Sequence, residues 1–415
     1  MLTLFKNRSY LKLWLSQVVS ELGDGMTSLL VLYLASKLSD HPLVYSIILM
    51  ARLLPSLLFG TFVGPIVDKY SKKSILVLAD VYRFLIILCM IFSQSSIVLL
   101  VLLTFLLGIG TVFFEPARSA SIPRIIREDQ IPGAVSLSQS TMMAVSIIAP
   151  SIGGVLLFTQ HYTLMLLLDS ATYIISAGIL LFITIPHDTA STDTQQQLSY
   201  LQSLKTGMNS ISSSLVLKSL FIFLIAAIFL FSLLNTNIFP VLLDEFKVGE
   251  LHFGTLQTVL GLTAVAGSLC VPAIMRRISA RKLMISTFLI LGIMCLLLGP
   301  VYHLKLEAGL FPLYIWAGII GFTNTFINIP VNSLLLQSVP ADVLGRVSGI
   351  LMTVMALFNL AGLYLGGAAA GLIGPIEAIG GAGTLFLVFG IFFPITKYYK
   401  SLTHSGKEES KQAAV

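Results

Sequence analysis

Long apolar stretches separated by short polar turns run along almost the whole chain. About twelve of them have roughly 20 residues, the length that an α-helix needs to cross ~30 Å of hydrocarbon. The pattern therefore predicts an all-α membrane protein with twelve spans, near residues 11–36, 44–65, 74–93, 97–118, 134–158, 162–185, 217–242, 254–275, 283–302, 309–334, 346–371 and 376–397.

Composition supports this prediction, because 56% of the 415 residues are hydrophobic and only 11% are charged, with a mean hydropathy of +0.93. A soluble globule is excluded. The first span carries Gln17, Glu21 and Asp24 and lacks a cleavage site, so we expect it to be a helix rather than a signal peptide. Basic residues lie on one side of the predicted spans, except Lys37, Lys247 and Lys305, which predicts cytoplasmic termini.

Few residues are arranged for other chemistry. The cysteines Cys89, Cys270 and Cys295 lie inside apolar spans without paired spacing, which predicts neither disulfides nor a metal site. No nucleotide-binding, zinc-protease or serine-hydrolase motif is present in the sequence. We therefore expect no enzyme activity, cofactor or bound metal. The isoelectric point near 9.1 follows from the topology, and we expect no nucleic-acid partner.

The sequence contains a weak internal repeat. Ile126–Leu137 aligns with Val339–Ile350, and at the same offset Gly153 and Gly154 align with Gly366 and Gly367. The repeat predicts two six-helix bundles, residues 1–186 and 216–398, with a cytoplasmic linker at 187–215 and a cytoplasmic tail at 399–415. Apolar residues recur at three- and four-residue steps in the linker, at Leu201, Leu204, Met208 and Ile211. This pattern suits either an amphipathic helix on the membrane surface or a solvated linker with incidental apolar residues.

The turn after the second span has the sequence GPIVDKYSKK, Gly64 to Lys73. It resembles the loop between helices two and three of the major facilitator superfamily. The resemblance implies that this loop holds the two halves of a transporter in one state, with Asp68 accepting from a helix N-terminus or from an arginine. The gating residues that we predict here are Gly64, Asp68, Lys69, Lys72, Lys73 and Arg118; the alternative is an ordinary basic turn.

The fifth span contains APSIGG, Ala149 to Gly154. It resembles the antiporter motif of the same superfamily, which implies that Pro150, Gly153 and Gly154 seal the interface between the halves; the alternative is generic packing of small residues. The segments at 20–24, 51–55, 80–83 and 115–123 resemble the drug:proton antiporter branch that includes macrolide efflux pumps and siderophore exporters. Unlike better-studied members, the fourth span has no arginine at its centre.

Charges inside a bilayer cost several kcal/mol unless they are paired or hydrated. Asp80 and Arg83, one turn apart, are expected to neutralise each other, and together with Asp169 they are expected to be structural. Arg52 is expected to reach Asp24. Glu21, ~15 Å into the first span, is then left without a cation.

We therefore predict that Glu21 is the proton-carrying acid. Asp24 is its rival for that role. The remaining alternative is that Glu21 is structural and forms a hydrogen bond to a neighbouring helix.

A cavity lined by spans one, four, seven and ten would be aromatic with few polar groups, which suits a drug-sized ligand. Its predicted lining residues are Phe113, Asn235, Asn237, Asn324 and Asn328; the alternative is that the asparagines bond neighbouring helices and the phenylalanine faces lipid.

These features predict a secondary transporter, expected to be monomeric, in a bacterial cell membrane. We expect it to export an amphipathic small molecule by proton antiport with alternating access, so that its partners are the substrate, protons and the lipid bilayer. A lysolipid or lipid flippase on the same scaffold is one alternative. A membrane sensor without transport activity is the other.

Overall fold

A computed structural model describes residues 4–186, 211–212, 214–338 and 344–402 of the chain. Within these ranges every regular element is a helix. Eleven of the described helices are long and apolar enough to span a membrane, and Phe311–Ile327 forms a shorter apolar segment. The all-α, twelve-span fold predicted from the sequence is confirmed, whereas most of the predicted linker and tail lies outside the described residues.

The first six helices belong to one compact unit, which consists of Met1–Ser191 together with Leu242–Thr258. Polar caps fix several helix starts: the Asn7 side chain accepts from the backbone of the first helix, and Ser71 and Ser96 do the same for the third and fourth. The helices are α1 (Arg8–Leu38), α2 (Leu43–Lys69), α3 (Lys72–Met90), α4 (Ile97–Ile125), α5 (Ile131–Phe158) and α6 (Tyr162–Leu181).

The second unit consists of Thr192–Val241 and Val259–Val415. The predicted ninth span is divided into two consecutive helices at Leu297. The remaining helices are α7 (Leu215–Pro240), which continues as a π-helical turn (Val241–Glu245), α8 (Glu250–Met275), α9 (Ala280–Leu296), α10 (Leu298–Ala308), α11 (Phe311–Ser338), α12 (Leu344–Ile373), α13 (Pro375–Phe392) and the short α14 (Lys397–Ser401).

Four helix pairs recur in the two sets of spans. In the first, α1 packs against α5 and α6, and α3 packs against α4 and α6. In the second, α7 packs against α12 and α13, and α9 packs against α11 and α13. These pairs occupy equivalent positions along the chain. The site described below lies in the first unit, where α1, α3 and α6 meet.

Candidate functional site

Arg83 is the centre of a polar cluster buried between three helices. Its guanidinium bonds to Asp80 one turn earlier on α3, and it lies 3.6 Å from Asp24 Oδ2 on α1. The guanidinium also stacks over the rings of Phe114 and Tyr173, at 4.3 and 4.5 Å from their centroids. The Arg83 side chain is 2% exposed. Two acids and two aromatic faces thus hold one desolvated cation.

Helix α6 contributes a stripe of polar residues to the same cluster. The Tyr173 hydroxyl donates to Asp24, the Ser176 hydroxyl donates to Asp80 at 2.6 Å, and the Thr172 hydroxyl donates to Asp169 at 3.3 Å. These residues recur at three- and four-residue steps and therefore share one face of the helix. We define the buried acid cluster as Asp24, Asp80, Arg83 and Asp169.

Gly23 lets α6 approach α1 at this point. A Cβ atom at Gly23 would overlap Asp169 Oδ1 and the Thr172 hydroxyl. Any larger residue would therefore push the Asp169 carboxyl out of its place. A glycine is therefore required at position 23, because Asp169 of α6 packs directly against the backbone of α1 there.

Glu21 belongs to a second polar network, one turn along α1. Its Oε1 accepts from Gln17 Nε2 at 2.8 Å, and Gln17 in turn accepts from the Ser138 hydroxyl of α5 at 2.8 Å. Arg118 of α4 donates to Ser138 and to Glu115. The second oxygen of Glu21, Oε2, is buried and accepts no hydrogen bond from the described residues. One carboxylate oxygen of Glu21 therefore accepts a hydrogen bond, and the other accepts none from the described residues.

The expected pair of Asp80 and Arg83 is present, whereas the expected pairing of Arg52 with Asp24 is wrong. Arg52 bonds to Ser28, while Asp24 bonds to Arg83 and Tyr173. Arg83 is therefore shared between two acids, of which Asp80 was expected and Asp24 was not. The physical reason is that α3 packs closely on α6 and presents Arg83 to Asp24.

Arg118 likewise does not pair with Asp68, because it is occupied by Ser138 and Glu115. The Asp68 side chain is exposed, and its backbone carbonyl accepts from Lys72 at 3.0 Å. Gly64 has open space where a Cβ atom would lie. The loop is thus a capped basic turn in this structure, with Lys69 exposed and Lys73 half-buried, and its latch role stays a prediction.

The small residues of α5 bring it close to α1. Ala149 contacts Gly25, and Gly153 lies against the backbone of Met26. Gly154 faces Gly254 of α8 so closely that a Cβ atom on either would overlap the other's backbone. The first unit includes Gly254, since residues 242–258 pack with it. The close backbone approach expected of small residues beside Pro150 is therefore present.

The residues predicted to line a cavity have different surroundings. Phe113 is half-buried in a groove of about 450 Å³ between α2, α3 and α4, whose walls are almost wholly apolar. Asn237 is buried and donates to the Gly366 carbonyl of α12 at 3.1 Å, so its amide joins two helices. Asn235 and Asn324 are exposed. The side chain of Asn328 lies outside the described residues.

One further contact escaped the sequence reasoning. The Tyr45 hydroxyl at the start of α2 donates to both carboxylate oxygens of Asp244, at 3.2 and 3.1 Å. Tyr45 is fully buried. Nothing local in the sequence links residues 199 positions apart. By contrast, the polar stripe on α6 could be inferred from the sequence, because Asp169, Tyr173 and Ser176 follow helical spacing.

Charged groups buried among the helices of a membrane protein often mark an ion or substrate pathway, which is typical of membrane transporters. The family model of the Major Facilitator Superfamily matches residues 13–363 and 220–414. The chain therefore belongs to the Major Facilitator Superfamily, and the resemblance predicted from the sequence is confirmed. The family consists of transporters, so the chain is not an enzyme.

Several bacterial relatives match over much of the chain. An uncharacterized MFS-type transporter, YfiS, of Bacillus subtilis is 28% identical over 409 residues, covering 95% of this chain and 94% of the relative. Macrolide efflux protein A of Streptococcus pyogenes is 21% identical over 94% of this chain and 96% of its own length. The staphyloferrin A transporter of Staphylococcus aureus is 26% identical over 63% of this chain and 66% of its own length.

Solved structures agree on the fold. The crystal structure of the POT family transporter PepTSo superposes with a TM-score of 0.73 at 11% sequence identity, covering 96% of this chain and 99% of that one. At this identity the likeness concerns the fold alone.

Proposed function

We propose that this protein is a bacterial cell-membrane exporter that expels an amphipathic small molecule, of a macrolide-like or siderophore-like kind, in exchange for protons. Similarity to macrolide efflux protein A over nearly the full length of both chains supports the substrate class. Both termini are cytoplasmic in this proposal, because the basic residues concentrate on their side of the membrane.

The proton part of the proposal rests on Glu21. This acid lies 13 residues into α1, about 20 Å along a helix at ~1.5 Å per residue, and therefore inside the hydrocarbon region. Its Oε2 is buried without a hydrogen-bond donor among the described residues. Removal of a carboxylate from water favours its neutral form. Glu21 can thus load a proton when the helix faces one side and release it at the other.

Asp24 is the rival acid, and its contacts make it less suited to carry this proton. Both of its oxygens have partners, because Asp24 pairs with Arg83 and accepts from the Tyr173 hydroxyl. Its side chain is nevertheless 17% exposed, so water can reach it. An experiment is therefore needed to decide whether Glu21 or Asp24 carries the proton.

The test uses wild type, Glu21→Gln and Asp24→Asn reconstituted into liposomes with a radiolabelled macrolide. We expect wild type to accumulate the macrolide when a proton gradient is imposed, and Glu21→Gln to lose this accumulation while still exchanging macrolide between equal pools. Uphill accumulation by Glu21→Gln would remove the proton role from Glu21, and loss in Asp24→Asn alone would transfer it to Asp24. Wild-type transport that is equal with and without the proton gradient would favour a lipid flippase or a facilitator. The assay would then be repeated with lysolipid in place of the macrolide.

A further inference from the structure

The buried acid cluster contains more negative than positive groups. Within the described part of the chain, three aspartates surround a single arginine. The acids lie near the middles of α1, α3 and α6. With all four groups ionised, the cluster would carry a net charge of −2 inside the hydrocarbon region, where every uncompensated charge is costly.

Asp169 is the acid that Arg83 does not pair with. The two ion pairs of Arg83 in the described residues are with Asp24 and Asp80. Asp169 is fully buried; its Oδ1 accepts from Thr172, while its Oδ2 accepts no hydrogen bond from any described residue. The Thr27 hydroxyl of α1 lies beside this carboxyl, but no hydrogen bond of ordinary geometry joins the two. A proton on Oδ2 would supply the missing donor.

The charged groups around Asp169 come from α1 and α3, two of the helices packed against α6. Helix α1 presents Asp24 and, one turn away, Glu21, whereas α3 presents Asp80 and Arg83. Helix α6 adds Tyr173 itself, and α5 has no ionisable side chain. No second cation therefore reaches Asp169 from the described residues, which leaves a small cation as the group that balances it.

An ionised carboxyl at the centre of a membrane helix is costly unless it is paired or hydrated. A bound proton removes that cost and fits a site too tight for a hydrated ion, since α1 touches the carboxyl at Gly23. The described residues also contain no metal-ligating group of three or more acids, histidines or cysteines.

We propose that Asp169 binds an exchangeable proton, and that the buried acid cluster is a second proton site of the transport cycle besides Glu21. This proposal rests on the proposed proton antiport. Asp24 is the way out for the proton, because it is 17% exposed while the Asp80 side chain is 0% exposed. When Asp169 loses its proton, it competes with Asp24 for Arg83, and this competition couples the charge of α6 to the position of α1.

The first test measures protons on purified protein without any substrate. Proton uptake near neutral pH and the infrared band of protonated carboxyls are compared for wild type, Asp169→Asn, Glu21→Gln and the control Asp129→Asn, whose acid is 67% exposed beside Arg127. We expect Asp169→Asn to bind about one proton fewer than wild type in this range, additively with Glu21→Gln, and the control to match wild type. Uptake by Asp169→Asn equal to wild type overturns the proposal.

Isotope labelling keeps the test valid even where Asp169→Asn does not fold. Wild-type protein grown with aspartate labelled at its carboxyl carbon shifts the infrared band of a titrating aspartate and leaves that of Glu21 in place. If the unshifted band of Glu21 is the only one that titrates, the proposal is overturned in unaltered protein.

The second test uses the liposome assay with the radiolabelled macrolide. Asp169→Asn is expected to lose the accumulation that the proton gradient drives, and exchange of macrolide between equal pools is measured beside it to check that the variant still handles macrolide. Retained accumulation would mean that the Asp169 proton is not part of the cycle, which overturns the coupling role. Failure of wild type to respond to the gradient contradicts the proposed function instead, and the proton measurement on purified protein separates the two results.

Discussion

Replacing Arg83 by glutamine should destabilise the protein far more than an ordinary surface change. The variant removes the cation shared by Asp24 and Asp80 and leaves both acids in place. Breaking a buried ion pair by removing one partner typically costs about 3 to 5 kcal/mol. The lost stacking on Phe114 and Tyr173 acts in the same direction.

Arg127→Gln is the matched control, because Arg127 also pairs with an aspartate but is 82% exposed. Exposed pairs contribute at most about 1 kcal/mol. Arg83→Gln should therefore reduce the free energy of unfolding by at least about 2 kcal/mol more than Arg127→Gln does. The measurement is reversible unfolding in mixed micelles of mild detergent and dodecyl sulfate, followed by circular dichroism.

A double variant checks the cause of the loss. Adding Asp80→Asn to Arg83→Gln removes one of the stranded charges, so part of the lost stability should return, and the non-additivity measures the coupling between the two side chains. Two results would refute the reasoning: equal losses in Arg83→Gln and Arg127→Gln, or a double variant less stable than the sum of the single ones.

Three further outcomes are expected. Gly154→Ala should lower the melting temperature in detergent, because the added methyl group meets opposing backbone, whereas Gly178→Ala, which has open space, should leave it unchanged or raise it slightly; equal effects would contradict the packing argument. Asp68→Asn should abolish macrolide efflux from cells without lowering the amount of folded protein, and retained efflux would remove the latch role. In a variant lacking the native cysteines, a membrane-impermeant thiol reagent should label from outside a cysteine placed near His161 but not one near Ser191, and the reverse result would overturn the proposed orientation.

The sequence predicted the spans well because their signal is local. A run of about 20 apolar residues is sufficient to identify a membrane helix, and the described helices lie where those runs do. The close approach of α5 to α1 was also predictable, since small residues such as Gly153 permit it whatever the neighbour.

Partners of the buried charges were predicted less well, because reach was judged along single helices. Arg83 was assigned to Asp80 by its spacing on α3, but the structure adds Asp24 from α1 through the packing of α3 and α6. Arg52 was assigned to Asp24 on estimated depth, although which side of α2 it occupies depends on tertiary packing. Helical spacing predicts which residues are neighbours within one helix, but it does not predict which other helix packs against them.

The stripe on α6 has a consequence for biosynthesis. Asp80 and Arg83 emerge from the ribosome together on α3, so each enters the bilayer with a counter-charge, whereas Asp169 arrives later on a helix without a cation of its own. Its buried carboxyl is accommodated because α1 and α3 are already in the membrane to pack against it. We therefore expect α6 to be retained beside the translocon until it docks on them, which makes the first six helices a single unit of membrane insertion.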